Sequence, residues 1–187
     1  MCNTHEVETL AEEGRDYERI ADAVRYLGEH RGDHPSLNSV AAHVGLSAHH
    51  FQRMFRRWCG LTPKQFLSYL TVEGAKPLLD EQWPVMEVAG AVGLSGPSRL
   101  HNLFLSVEAV TPGDYKRRGA DLTLRYGEYA SRFGRVFMAR SERGICGLEF
   151  ADDDGASALG RARKRWPRAH FVPDDNTGHE LVESAFE

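Results

Sequence analysis

The sequence predicts an all-α domain of about seven helices, built on two helix-turn-helix units in tandem and followed by a small mixed α/β domain. Three observations carry that expectation: a repeat at an offset of 48 residues, helical apolar spacing through residues 15–118, and strand-like alternation after residue 119.

In the repeat, SVAAHVGLS at 39–47 is answered by EVAGAVGLS at 87–95. After one inserted residue, FQRMF at 51–55 pairs with LHNLF at 100–104, and Thr62-Pro63 with Thr111-Pro112. Each copy reads as a helix of about eight residues, a tight turn and a second helix. The turns are Val44-Gly45-Leu46 and Val92-Gly93-Leu94, and the second helices open on Ser47 and Ser95. A serine hydroxyl suits that place because it accepts a hydrogen bond from a backbone N–H that the first helical turn leaves unmet. Ala41 and Ala89 stand four residues before the turn glycines, where steeply crossing helices leave space for a small side chain. Gly45 and Gly93 supply the left-handed conformation the turn favours. The units span 37–58 and 85–107 within a domain of 15–118.

Ahead of the first unit, YERIADAVRYLGEH sets Ile20, Val24, Tyr26 and Leu27 on one helical side and predicts a lead helix. Between the units, KQFLSYLTVEGAKPLLDEQWP predicts a connecting helix to about Ala75, with Pro77 kinking it or delaying its end. Residues 1–14 read as an acidic N-terminal tail.

In the first unit Phe51, Met54, Phe55 and Trp58 fall at i, i+3, i+4 and i+7 and predict one apolar face, with Cys59 beside Trp58 as packing. The other face displays His49, His50, Gln52, Arg53, Arg56 and Arg57. In the second unit Leu100, Leu103, Phe104 and Val107 turn inward, leaving Ser98, Arg99, His101 and Asn102 outward. Hydrogen-bonding and cationic faces on paired recognition helices predict double-stranded DNA as the partner, read in two successive major grooves. Gln52, Arg53, His101 and Asn102 are the expected base readers. Arg56, Arg57 and Arg99 are shared between bases and phosphates. The two faces differ, so the half-sites should differ too.

The formal net charge of −4 does not exclude this partner, because steering depends on where charges lie. Residues 1–14 hold Glu6, Glu8, Glu12 and Glu13 with no lysine or arginine, whereas 47–67 hold Arg53, Arg56, Arg57 and Lys64 with no acid. No run of roughly 18 apolar residues and no secretory h-region occurs, so a cytoplasmic protein is expected, with no membrane partner. Cys2, Cys59 and Cys146 lie far apart with no C-x-x-C pair, and adjacent His49 and His50 point about 100° apart on a helix. Neither a metal site nor a disulfide framework is expected.

Beyond residue 119, residues 122–126 alternate as a strand and 135–140 with 145–150 read as a hairpin. Residues 156–166 read as a basic helix closed by Pro167, in which RARKRW at 161–166 reads as a solvated face, with a second basic contact to DNA as the alternative. LVESAFE at 181–187 is helix-like, and the apolar surface it brings is expected to stay partly exposed. Cys146 reads as a buried strand cysteine without thiolate chemistry.

Residues 15–118 resemble the AraC/XylS-type DNA-binding domain, most specifically in LSAHHFQRMFRRWCGLTPKQFL and AGAVGLSGPSRLHNLFLSVEAVTPGDYK. GLSGPSRLHNLF followed by VTPGDYKRRG is similar to the branch fused to methylated-DNA–protein-cysteine methyltransferases, the Ada-type proteins. LTLRYGEYASRFGRVFMARSERGICGLEFADDDG and RARKRWPRAHFVPDD resemble the small N-terminal domain of the O6-alkylguanine alkyltransferases. The resemblance implies an RNase H-like α/β fold for 119–187. It also implies a transcription regulator of the alkylation-damage response, with RNA polymerase as a candidate partner. The family's catalytic half uses a Pro-Cys-His-Arg acceptor, and no such stretch occurs in these 187 residues; its N-terminal zinc domain has no counterpart either. The expectation is a chain truncated ahead of the acceptor, with no catalytic residue and no cofactor. The alternatives are the front fragment of a bifunctional regulator and DNA-repair methyltransferase, or a module whose 119–187 region is an effector or dimer surface.

Overall fold

The computed structural model describes residues 4–151, 156–174 and 178–186. The chain forms two compact units, one of Met1–Ala75 with Gly90–Ser95, the other of Lys76–Ala89 with Gly96–Glu187. The division therefore does not follow the expected boundary at 118/119. The second recognition helix belongs with the α/β region, to which hydrogen bonds, ion pairs and ring contacts tie it.

In the first unit α1 (Thr4–Glu29) is one helix of 26 residues, so the stretch expected as an acidic tail is helical from Thr4 onward. Ile20, Ala23 and Leu27 form its buried stripe, with Val24 and Tyr26 packed beside them. A short 3-10 turn, Arg31–Asp33, ends on His34 in the left-handed region (φ 47°). α2 (Leu37–His43) starts where the Ser36 side chain accepts from the Ser39 N–H. α3 (Ala48–Cys59) lays Phe51, Met54 and Phe55 against Val40, Ala41 and Val44 of the preceding helix and turn. The Phe51 and Phe55 rings meet edge-on at 5.5 Å. Each fully buried side chain of this kind stabilises by about 1.5–3 kcal/mol.

Trp58 departs from the expected apolar face. It is 40% exposed, and Cys59 packs on the core instead. Seven residues bring a helix back to within about 20° of the same direction, so Trp58 keeps the bearing of Phe51 but stands in the last turn of α3, past the buried Met54 and Phe55. Trp58 rests against Tyr17, with ring centroids 6.0 Å apart.

α4 (Pro63–Asp80) opens on a reciprocal cap in which Thr62 N–H donates to Gln65 Oε1 (2.9 Å) and Gln65 N–H to Thr62 Oγ1 (3.2 Å). It runs five residues beyond the expected end at Ala75, carrying Pro77 inside it. The proline lies on the exposed side, and helical bonding resumes where Glu81 N–H donates to Pro77 O.

α5 (Val85–Ala91) buries Val88 and Ala89. In the second unit α6 (Pro97–Glu108) does not start at the expected Ser95. Its N-cap is Gly96 without a side-chain hydrogen bond, followed by Pro97. The residue inserted between the repeats shifts the helix start, and a proline in the first turn has no N–H to be capped. α7 (Pro112–Lys116) begins with a full capping box between Thr111 and Asp114.

A four-stranded sheet follows, made of β1 (Thr123–Ser131), β2 (Gly134–Ser141), β3 (Gly144–Phe150) and β4 (His170–Pro173) in the order β3-β2-β1-β4. β1 runs past the expected residue 126 because Gly127–Ser131 pair antiparallel with Gly134–Met138. β2 and β3 are antiparallel, and β1 and β4 parallel. α8 (Ala156–Arg165) connects β3 to β4, and α9 (His179–Ala185) follows. β2 buries Val136 through Ala139 without alternation. Phe137 and Ala139 join Ala158 and Trp166 in one cluster, and Val136 and Met138 join Val182 in another, so both faces of this strand are covered.

Candidate nucleic-acid interface

The first turn is closed by Gly45 N–H donating to Ala42 O (3.1 Å) and Leu46 N–H to Ala41 O (2.9 Å), with Gly45 at φ 69°. Ser47 caps α3 by accepting from the His50 N–H at 3.3 Å. This geometry presents His49, His50, Gln52, Arg53, Arg56 and Arg57 as exposed side chains of a single helix. Among the described residues Arg53 and Arg56 have no ion-pair partner, whereas Arg57 Nη2 lies 2.9 Å from Asp16 Oδ2 of α1. Arg57 also lies against the Trp58 ring, 5.9 Å from its centroid. One of the three arginines is therefore engaged within the protein.

The second turn is packed more tightly. Gly93 has φ 77°, and its N–H donates to Gly90 O. A Cβ at Gly93 would stand 1.8 Å from Gly32 O, whereas at Gly45 nothing lies within 4 Å. His34 donates from Nε2 to Val92 O at 2.9 Å, a bond made wholly inside the first unit. On α6, Ser98, Arg99, His101 and Asn102 are exposed, and Leu100, Phe104 and Glu108 form the buried stripe, flanked by half-buried Leu103 and Val107. α3 thus offers three arginines and two histidines outward, while α6 offers one of each.

The residues that sequence patterns missed are those holding these helices in place: His34, Asp16 and Glu108. Their partners lie 58, 41 and 57 residues away, a separation that no local motif announces. Cys146 sits buried on β3, donating to Ala139 O, and burial pushes its thiol up to about 11. Among the described residues no three His, Cys, Asp or Glu side chains group as metal ligands, and no helix is long and apolar enough to cross a membrane.

Two recognition helices on glycine turns, with polar outer faces, define a helix-turn-helix protein. Residues 40–118 match a family model described as a helix-turn-helix domain. The chain is 26% identical over 140 residues to the bifunctional transcriptional activator/DNA repair enzyme Ada of Escherichia coli K12, covering 75% of this chain and 39% of that protein. It is 25% identical over 174 residues to the regulatory protein ada of Salmonella typhimurium, covering 93% and 48%. The regulatory protein PocR of Salmonella typhimurium is 28% identical over 101 residues, covering 54% and 33%. The chain spans less than half the length of these curated relatives.

Among solved structures, the C-terminal domain of AraT, a response regulator from Geobacillus stearothermophilus, superposes with a TM-score of 0.50 at 26% identity, over 53% of this chain and 84% of that one. An AraC-type transcriptional regulator from Chromobacterium violaceum shares the fold with a TM-score of 0.51 at 20% identity, over 56% and 94%. Residues 40–118 are accordingly a helix-turn-helix domain, similar to the corresponding part of the Ada proteins and of other regulatory proteins.

Proposed function

We propose that the protein is a sequence-specific transcription regulator in which α3 and α6 each enter a major groove of double-stranded DNA, acting in the response to alkylation damage. The observation that carries this reading is the exposed, carboxylate-free outer face of α3 together with its diverged repeat on α6. Gln52, Arg53, His101 and Asn102 read base edges. Arg56 and Arg99 serve bases and phosphates, with His49, His50 and Ser98 beside them. Arg57 contributes less, being held by Asp16. A bidentate arginine–guanine pair discriminates by about 1–3 kcal/mol, while a phosphate contact adds affinity without sequence information.

The test is selection from a random duplex pool followed by footprinting. The expected site is asymmetric, with two protected major-groove segments about one turn, roughly 10 base pairs, apart. Protection of a single segment excludes the second helix from the reading. The alkylation response draws its support from the similarity to Ada proteins, which continues beyond residue 118. RNA polymerase is the partner that an activator role requires.

A second reading is favoured by the same relatives: the chain corresponds to the front part of a bifunctional regulator and methylated-DNA–protein-cysteine methyltransferase. On it, the sheet with its order β3-β2-β1-β4 is the RNase H-like domain that precedes an acceptor. Cys146 does not serve as that acceptor, since burial disfavours its thiolate. Stoichiometric methyl transfer from methylated DNA should leave these 187 residues unmodified.

A further inference from the structure

Glu108 stands in the last turn of α6, on the stripe of Leu100 and Phe104 and not on that of Arg99 and Asn102, and it is 6% exposed. A carboxylate so placed is costly unless it is paired and hydrogen-bonded. Glu108 is paired twice. Lys76 Nζ of α4 lies 2.7 Å from Oε1, and the Arg165 guanidinium of α8 donates to Oε2. Further ties converge on the same end of α6. Ser141 Oγ, closing β2, donates to Ala109 O at 2.6 Å, and so satisfies a carbonyl of the left-handed residue (φ 53°) on which the helix stops. Arg143 reaches Asp114 at 3.5 Å. The Trp166 ring meets Tyr115 edge-on at 5.7 Å, and Tyr115 meets Phe104 in the same way. All of these residues lie within the second unit.

The geometry points to Glu108 and Arg165 as positioning residues for the second recognition helix. The α/β region is then a built-in part of the DNA-reading unit, gripping α6 by its C-terminal turn while the opposite end presents Ser98, Arg99, His101 and Asn102. Arg165 acts through Glu108 and not by touching phosphate, and Lys76 holds the same carboxylate from α4. This rests on the reading of α6 as a DNA-contacting helix.

The experiment uses the full 187-residue chain and the duplex that the wild-type chain selects from a random pool. Arg165→Ala, Arg165→Lys and Glu108→Gln are compared by hydroxyl-radical footprint, affinity and salt dependence. Arg165→Ala and Glu108→Gln should each lose protection of the half-site read by α6 and keep that read by α3. Affinity should fall roughly tenfold, as the fraction of molecules holding α6 in its binding-competent place declines. The slope of affinity against salt should stay as in the wild type, since no phosphate contact is removed. Arg165→Lys, which keeps the charge, should regain most of the lost protection.

Two outcomes overturn the inference while leaving the DNA reading intact. One is an unchanged two-segment footprint in both Arg165→Ala and Glu108→Gln, with only thermal stability lowered. The other is a salt slope reduced by about one in Arg165→Ala with binding intact in Glu108→Gln, which makes Arg165 a phosphate contact. A wild-type chain that selects no duplex overturns the DNA reading itself, and this inference with it.

Discussion

The Arg57 guanidinium lies 2.9 Å from the Asp16 carboxylate, so a cation on the outward face of the first recognition helix is tethered to the helix that opens the chain. Arg57 is 65% exposed as a side chain and Asp16 16%. The pair is therefore screened on one side, and such pairs contribute about 0.2–1 kcal/mol. Arg57→Ala should lower the melting temperature slightly and leave the sequence selected from a random duplex pool unchanged. Arg53, with no such tether, should behave in the opposite way. Arg53→Ala should broaden the selected sequence with a discrimination loss of about 1–3 kcal/mol, and an unchanged footprint and affinity would remove it from the base readers.

Gly45 and Gly93 occupy equivalent places in the repeat but not equivalent surroundings. Both have positive φ, which for alanine costs about 1–2 kcal/mol. Gly45→Ala should cost no more than that, having nothing within 4 Å to meet. Gly93→Ala should cost clearly more, because its methyl collides with a backbone oxygen that cannot move without breaking the 31–34 turn. Urea midpoints of the two variants decide the matter, and equal midpoints would refute the packing described for the second turn.

Phe55→Ala should destabilise by about 3–5 kcal/mol, as is usual for a fully buried ring. Trp58→Ala, despite removing the larger side chain, should cost about 1 kcal/mol, since the indole is half in solvent. Urea denaturation should show this reversal of size order.

Cys146 should resist iodoacetamide near neutral pH until the protein unfolds. Burial holds its thiol neutral, moving it from 9.0 to about 11. The folded state then binds the proton more tightly than the unfolded state does. This group's contribution to stability is whole below about pH 9 and is lost as pH rises toward 11. Denaturation at several alkaline pH values, compared with Cys146→Ala, isolates it. A fall in stability of the same size in both proteins would assign the effect to other groups.

Much of the architecture was legible because it is written locally. Both glycine turns, the small Ala41 and Ala89, and the outward placement of Arg53 or Asn102 follow from helical period and turn chemistry within ten residues. What escaped has a different physical origin. Ser95 looked like Ser47, but Gly96-Pro97 moves the helix start by one residue. The connecting helix is expected to end near Ala75, with Pro77 kinking it or delaying its end, and on the exposed side of α4 the proline lets the helix run on to Asp80. The 118/119 boundary was drawn at a change of pattern from helical to alternating. The compact units follow contacts between residues far apart in sequence, such as Glu108 with Arg165 and His34 with Val92.

The different openings of α3 and α6 bear on how freely their reading heads could be exchanged. Ser47 begins one helix with its hydroxyl, while at Gly96-Pro97 the other begins without a side-chain cap, its Arg99 N–H donating to Gly96 O instead. A graft of 98–102 onto the first scaffold aligned at the 48-residue offset of the turns would arrive rotated by about 100°, turning Arg99 toward the core. Only a graft aligned at the 49-residue offset that relates FQRMF to LHNLF keeps the reading edge outward. The duplicated units are modular in their hydrophobic seam and not in their punctuation, so any recombination between them is phased from inside the helix.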